Sequence, residues 1–399
     1  MKINLHTQVF LGIFIGIFLG LFFKNWVIVF HPIGEIFIRL LRLIMVPLVI
    51  ASIISGIINL KNITALKILG FKTISFYIFT SAISVIIGLF LVNVIKPGVS
   101  IVAHDLPQPD LSSIKGSRPF SFIDLIPDNI FRALVDANMI GLILFSVLIG
   151  VVLLSLESKN KSISKFFISI NDVMMLITQW IMKLAPLGVM ALIAELVATN
   201  NYTVLAPIFL YGTTVILGLA IHFFLVLTVI VWIFSNESPF KFIKSLLPAL
   251  ATAFSTDSSV ATIPVTVSCL HQVKQLKKKV IGFVVPLGAT VNMDGTALYE
   301  AVAALFIAQA YDIHLTLFQQ GIIVLTAILA SVGAAGIPSA GLVTMVAVLS
   351  SVQLPIEGVG LILAIDRILD MFRTVTNVYG DAVGSLVISD LTDHESFDD

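Results

Sequence analysis

Charge is what this sequence has least of. Only 12% of its 399 residues are Asp, Glu, Lys or Arg, about half the share of a soluble domain. With 58% hydrophobic residues and a mean hydropathy of +1.07, a soluble globule is excluded and a polytopic membrane protein remains. Acidic and basic residues balance at 23 each, so the chain has no electrostatic footprint for nucleic acid. A single cysteine, Cys269, allows no internal disulfide and has no metal-ligand company; it reads as a small core residue. No small-residue cleavage signal follows the first apolar run, which therefore reads as a retained helix. His6, His31, His104 and His271 fall at span ends or in loops, and the acidic tail, 391–399, reads as a solvated end.

What is present is a series of apolar segments near residues 7–30, 33–60, 69–95, 122–156, 163–198 and 203–234. They are expected to be helical, because a lipid-facing backbone must satisfy its own hydrogen bonds. The breaks carry turn or charge signals: His31-Pro32, Lys61-Asn62, the polar stretch from Lys96 to Pro119, Glu157 to Lys161, and Asn200-Asn201. Pro47, Pro127 and Pro186 predict kinks. The aromatic load, 29 Phe among it, predicts lipid-facing and core packing rather than a cofactor box. Lysines after spans two, four and six (Lys61, Lys67, Lys72; Lys159, Lys161, Lys165; Lys241, Lys244), with Lys274 and Lys277 to Lys279, share one side if the termini are cytoplasmic. The loop after span three also holds Lys96, Lys115 and Arg118, offset by Asp105 and Asp110; the expectation is a multi-pass protein of the inner membrane.

Beyond residue 235 the pattern changes. From Phe240 to Leu270 the apolar run is interrupted by Ala253-Phe-Ser-Thr-Asp-Ser-Ser-Val-Ala-Thr-Ile-Pro264, each arm is too short to cross alone, and lysines flank both ends. A re-entrant hairpin satisfies these facts. The same recurs from Leu317 to Leu354, around Ser331-Val-Gly-Ala-Ala-Gly-Ile-Pro-Ser-Ala-Gly341, whose small residues allow close backbone approach. Each hairpin precedes a spanning segment with a polar centre: Gly288-Ala-Thr-Val-Asn-Met-Asp-Gly-Thr296, then Asp366 to Asp381. A hairpin plus a broken helix, occurring twice, is the mark of inverted repeats around a midplane site. The fold expected is an all-α polytopic membrane protein with eight transmembrane helices and two re-entrant hairpins.

The last segment concentrates the chemistry. Asp366, Arg367, Asp370, Arg373 and Asp381 put five ionised groups in sixteen residues, each costing roughly 2.5–3.5 kcal/mol at mid-membrane even on a lenient scale. Asp370, Arg373, Asn377 and Asp381 stack on one helical face. Arg373 offers a planar fork for a carboxylate and Asp370 an acceptor for an ammonium. Hairpin tips supply half-helix N-termini and the hydroxyls of Ser258 and Ser259, and Thr374 and Asn377 add neutral groups. Together they describe an amino acid with an acidic side chain. Oxygens from Asn292, Asp294, Asp381 and carbonyls near Gly288 and Thr290 form hard-ligand sites that suit Na⁺ as coupling ion, with no organic cofactor.

At these residues the chain resembles the glutamate/aspartate transporter family, the dicarboxylate/amino-acid:cation symporters. The resemblance is carried by Asn292-Met-Asp-Gly-Thr-Ala-Leu-Tyr-Glu-Ala-Val-Ala-Ala, Ala335-Gly-Ile-Pro-Ser-Ala-Gly341, Leu369-Asp-Met-Phe-Arg-Thr-Val-Thr-Asn-Val-Tyr-Gly-Asp381, Ser258-Ser259 with Pro264, and Met45-Val-Pro-Leu48. It spans nearly the whole chain and implies a homotrimeric elevator-type carrier embedded in lipid. Scaffold helices one and two would occupy 1–65 and helices four and five 122–200. The transport domain would take helix three with its polar loop, 66–121, and then 201–390. The resemblance implies that Arg373 holds the substrate side-chain carboxylate and Asp370 its ammonium. Asn377, Ser259 and Thr296 would meet the α-carboxylate and its neighbours, with Thr374, Ser258, Gly336, Ala340 and Gly341 beside them. It implies three sodium sites: Gly288, Asn292, Asn377 and Asp381; Thr290, Ser331, Val332 and Ala334; and Tyr77, Thr80 and Ser81 with Asn292 and Asp294.

Two departures stand out. Archaeal aspartate carriers place an arginine where this chain has Asp257, and animal carriers place it where this chain has Met371; Arg367 is the nearest alternative. Glu300 matches the glutamate of proton-carrying animal members and is a candidate proton carrier. Three rivals remain. An intramembrane aspartyl protease using Asp294 and Gly380-Asp381 would want a glycine where position 378 is Val, and explains neither Arg373 nor the hairpins. A channel has no need of paired Arg and Asp on one face. A carrier of four-carbon dicarboxylates leaves Asp370 repelling its ligand.

Overall fold

A helix buried in lipid keeps its hydrogen bonds to itself, and the computed structural model follows that rule: among the described residues every regular element is helical. It describes residues 5–58, 67–101, 127–135, 138–156, 161–200, 205–234, 238–273, 276–333 and 340–391. The acidic tail beyond 391 and most of the polar loop lie outside them.

The chain begins with α1 (Leu5–Phe22) and α2 (Val27–Ile58), joined by a 3₁₀ turn at Lys24–Trp26. The expected break at His31-Pro32 is thus wrong: Pro32 lies inside α2. The polar Lys24-Asn25 pair is the stronger punctuation. After α3 (Lys67–Ile95) come α4 (Ile130–Val135) and α5 (Met139–Ser155), so the run expected as one span is two helices. Asn138 divides them by capping α5, its side chain accepting from the Gly141 N–H at 3.1 Å. The next expected span is α6 (Lys161–Met182) and α7 (Ala185–Asn200), bent by 53° beside Pro186, as the proline predicts. α8 (Leu205–Ile221) continues through a π-helical stretch, His222–Leu227, into α9 (Thr228–Phe234).

The two interrupted regions fold as helix pairs. α10 (Pro239–Thr256) and α11 (Ser259–Leu270) pack on each other on either side of Asp257-Ser258; α14 (Leu317–Gly333) and α15 (Ala340–Ser351) pack likewise. The second tip, 334–339, lies outside the described residues. Between the pairs run α12 (Lys278–Val291) and α13 (Asp294–Ala310), separated by the non-helical Asn292 and Met293, the break read from the sequence. The final α16 (Val359–Leu391) is unbroken through its 33 residues. The repeat of hairpin and broken helix therefore holds only for the first half: Gly380 in α16 is used for close contact with the Asn292 side chain and not for unwinding.

Four described helical stretches have the length and composition to cross a membrane: Val27–Ser55, Leu69–Ile95, Leu205–Phe234 and Lys278–Ala310. The bent α6–α7 pair would be a fifth. Large side chains such as Phe14, Phe18, Phe71, Phe90, Phe209 and Phe224 face outward, as lipid-facing surfaces do. All three tryptophans (Trp26, Trp180 and Trp232) are mostly exposed, which suits anchors at a membrane interface. At the centre is α13, buried throughout except at Gln309 and packed by α3, α8, α14 and α16.

Elsewhere small residues set the spacing. Gly12, Gly16 and Gly20 lie on one face of α1, and a Cβ on Gly16 would sit 2.6 Å from the Met190 carbonyl oxygen of α7, one on Gly20 2.7 Å from that of Ala194. This is small-residue helix packing of the membrane kind. Gly16→Leu is expected to force α1 from α7 and cost about 1–3 kcal/mol. The check is a lower thermal midpoint of the detergent-solubilised protein; an unchanged midpoint would deny the contact its weight.

Candidate functional site

Tyr77, Thr80 and Ser81 of α3, Asp294 of α13, and Asn377 and Asp381 of α16 are buried, where a polar group without a partner is costly. Asp294, wholly buried, opens α13, where the helix dipole favours a negative charge. Its Oδ1 accepts from Ser81 Oγ at 2.5 Å and Thr80 Oγ1 at 3.2 Å, both on α3. Tyr77, one turn earlier, donates its hydroxyl to the Val284 carbonyl at 3.3 Å. The sequence had grouped Tyr77, Thr80, Ser81, Asn292 and Asp294, and the fold brings α3 against this break.

Two members of the cluster were missed. Ser84 Oγ donates to the Asp294 backbone carbonyl at 2.9 Å; it continues the polar stripe Tyr77, Thr80, Ser81 along α3, and that period was legible. His222, on the π-helical stretch and wholly buried, places Nε2 2.9 Å from Asp294 Oδ2. With Nε2 carrying the ring proton, this contact is a hydrogen bond donated to the Asp294 carboxylate. A lone histidine inside an apolar span was the available signal.

A second cluster joins the break to α16. Asn292 donates from Nδ2 to Asp381 Oδ1 at 2.8 Å and to the Asn377 carbonyl at 3.0 Å. Asn377 Oδ1 accepts from the Gly295 N–H at 2.8 Å, and its Nδ2 reaches Thr296 Oγ1 at 3.4 Å. Asn292 Oδ1 is buried without a hydrogen-bond partner. Gly288 lies against the Asp381 carboxylate and the Tyr77 hydroxyl so closely that a Cβ has no room. Gly288, Asn292, Asn377 and Asp381 are therefore together, with an unspent amide oxygen among them, a donor set of the hard kind that suits Na⁺.

Of the remaining cation group, Thr290 Oγ1 bonds the Leu287 carbonyl and Ser331 Oγ the Ile328 carbonyl, both at 2.9 Å. Their hydroxyls are used within their own helices, so a cation there would take carbonyls. α12 and α14 do pack together. Val332 lies in α14; Ala334, like Gly336 of the substrate group, lies outside the described residues.

The third cluster is the charged one. Arg373, wholly buried, places Nη2 2.7 Å from Asp370 Oδ1 and 3.2 Å from Asp366 Oδ1. Its guanidinium carbon lies 3.8 Å from the centroid of the Tyr299 ring, a stacked cation–π contact. Nη1 and Nε have no hydrogen-bond partner. Nη1 faces Gly341 at the start of α15, where a Cβ would lie 2.8 Å away. Ala340 opens α15, and Thr374 is buried on α16 beside Arg373. At the first tip Ser258 caps α11, its hydroxyl oxygen accepting from the Ala261 N–H at 3.2 Å, and Ser259 is buried behind it. Glu300, wholly buried on α13, accepts from the Thr344 hydroxyl at Oε1, while Oε2 has no hydrogen-bond partner. Asp366, the second carboxylate on Arg373, was read in the charged stretch but not assigned to the site. A cavity of about 540 Å³ lined by Asn93, Lys96, Gln309, Asp312, His314 and Gln320 shares no residue with these clusters.

A helical membrane protein with buried carboxylates, amides and a partly unspent arginine around a broken helix belongs to the class of ion-coupled carriers. The chain belongs to the sodium:dicarboxylate symporter family, whose model matches residues 5–391. It is a multi-pass transporter and not an enzyme. It is 37% identical over 419 residues to excitatory amino acid transporter 3 of Mus musculus, and 37% over 420 residues to that of Homo sapiens, covering 91% of this chain and 79% of each relative. An excitatory amino acid transporter of Caenorhabditis elegans is 34% identical over 403 residues, 89% of this chain and 80% of the relative.

Replacing His222 tests the Asp294 cluster. His222→Leu is expected to leave Oδ2 without its donor and to destabilise by about 1–3 kcal/mol, whereas His222→Gln keeps a donor and loses less. Thermal midpoints in detergent should rank wild type, Gln, Leu; equal midpoints would mean the contact carries nothing.

Proposed function

We propose that the chain takes up acidic amino acids, L-aspartate or L-glutamate, together with Na⁺. The observation that carries this reading is Arg373: fully buried, oriented by Asp366, Asp370 and Tyr299, with Nη1 and Nε unspent beside Gly341. An ordinary buried ion pair spends its donors. Here two are left, and a carboxylate is the group that matches them. Asp370 then receives the ammonium, and Thr296, Asn377, Ser258 and Ser259 the remaining oxygens, with Thr374 and Gly341 beside them; Ala340 and Gly336 belong to the proposed group as well. Na⁺ is carried at Gly288, Asn292, Asn377 and Asp381, at the carbonyls of Thr290, Ser331, Val332 and Ala334, and beside Tyr77, Thr80, Ser81 and Asp294. The relatives' names, excitatory amino acid transporters, support the substrate class.

The packing supports an elevator. α1, α2, α5, α6 and α7 pack mainly with one another, as do α3, α8 and α10 to α16, and α2 meets α14 and α15 between the sets. In this reading the first set is a trimeric scaffold fixed in the inner membrane, with both termini cytoplasmic, and the second slides with its cargo. α10–α11 and α14–α15 are its two re-entrant hairpins, and the whole has eight transmembrane helices. The second reading, a carrier of four-carbon dicarboxylates, has Asp370 against it, since a carboxylate beside a dianion is repulsive at low dielectric.

Radiolabelled L-aspartate uptake by purified protein in liposomes should saturate and collapse without a Na⁺ gradient; uptake indifferent to Na⁺ would overturn the reading. Arg373→Ala should weaken aspartate binding by roughly thirtyfold to several thousandfold, the scale of about 2–5 kcal/mol for truncating one partner of a buried charge pair. Unchanged affinity would remove the assigned role.

Glu300, with one oxygen spent on Thr344 and one free of partners, is the proposed proton carrier. Uptake that needs a proton there should fall as external pH rises, and Glu300→Gln, permanently neutral, should flatten that response. Identical pH profiles would end this assignment.

A further inference from the structure

The charged cluster extends one pair beyond Arg373 and its carboxylates. Asp257 sits at the break between α10 and α11 with φ 50° and ψ 32°, a left-handed conformation that glycine takes freely and that costs other residues roughly 1–2 kcal/mol, aspartate tolerating it better than most. Asp257 Oδ2 lies 3.7 Å from Arg367 Nη1, and the same nitrogen lies 3.6 Å from Asp370 Oδ2. Asp370's other oxygen is the one held by Arg373 at 2.7 Å. Both Asp257 and Arg367 are buried, the arginine side chain 4% exposed. Across the site the groups thus run Asp257, Arg367, Asp370, Arg373, Asp366, alternating in sign from the first hairpin tip to the last helix. Three carboxylates and two guanidiniums leave one formal negative charge.

We infer that Asp257 and Arg367 are positioning residues that set how much negative charge Asp370 presents to a ligand's ammonium, and so how strongly the site rejects dicarboxylates that lack one. This rests on the reading of Asp370 given above. Arg367 neutralises Asp370 from the side opposite Arg373. Asp257 draws that guanidinium toward the hairpin tip and weakens its hold on Asp370. Removing Asp257 hands Arg367 to Asp370, which then attracts an ammonium less and repels a second carboxylate less. Removing Arg367 takes that compensation from Asp370 and does the reverse. A contact that merely fastened the tip to α16 would be broken equally by either change, with effects of the same sign.

The experiment is displacement of radiolabelled L-aspartate from the purified full-length protein in saturating Na⁺, by unlabelled L-aspartate and by succinate. The quantity read is the preference for aspartate, the succinate inhibition constant divided by that of aspartate. Asp257→Asn should lower the preference about tenfold, Arg367→Gln should raise it about tenfold, and the double variant should return to within about threefold of wild type. Single variants that shift the preference in the same direction, or by less than about twofold, overturn the inference. If Arg367→Gln does not fold, Asp257→Asn alone decides, an unmoved preference being fatal. Wild-type protein that binds neither ligand would instead refute the proposed function, which separates the two failures.

Discussion

A guanidinium buried at the centre of a membrane protein is the constraint from which the rest of this structure follows. Arg373 cannot be stranded there, so Asp366 and Asp370 stand against it and Tyr299 lies across its face. Each carboxylate brought in then needs a partner of its own, because a buried charge left alone is more costly than the pair it came from. Asp370 meets Arg367, and Arg367 meets Asp257 at the first hairpin tip. Arg373 nevertheless keeps two donors unspent. A site that were only structural would have no use for them.

The second centre rests on a broken helix. Interrupting α12–α13 at Asn292 and Met293 frees the amide of Asn292 to tie α16 through Asp381 and the Asn377 carbonyl. It also sets Asp294 at a helix N-terminus beside the hydroxyls of α3. Asn377 links the two centres: its carbonyl accepts from Asn292 and its side-chain amide reaches Thr296 Oγ1. In the proposed reading that shared residue gives ion and amino acid a physical route by which each favours the other, a coupling that must be reciprocal.

How much of this was legible depended on range. The helical breaks at Asp257-Ser258 and Asn292-Met293 were readable because polar and glycine residues interrupt apolar runs locally. The face formed by Asp370, Arg373, Asn377 and Asp381 followed from helical period alone. Misread boundaries were also local: Pro32 suggested a turn that Lys24-Asn25 makes, and one expected span is two helices because Asn138 caps the second. His222, the pairing of Asp257 with Arg367, and the glycine stripe of α1 against α7 were not read from the sequence. Their partners lie on other helices, and a residue's own neighbours in sequence do not reveal what packs against it.

By itself the sequence determined that the chain lives in a membrane, that two of its apolar runs break at Asp257-Ser258 and Asn292-Met293, and that opposite charges share one face of the last helix. These are consequences of hydropathy and of a backbone that must bond to itself. Only tertiary structure decided which charge meets which. It placed Asp294 between α3 and a histidine of the π-helical stretch, and it strung five ionisable groups into alternating order. The reason is physical: at low dielectric a few ångströms separate an ion pair from an unpaired charge, and such distances exist only once the helices have packed.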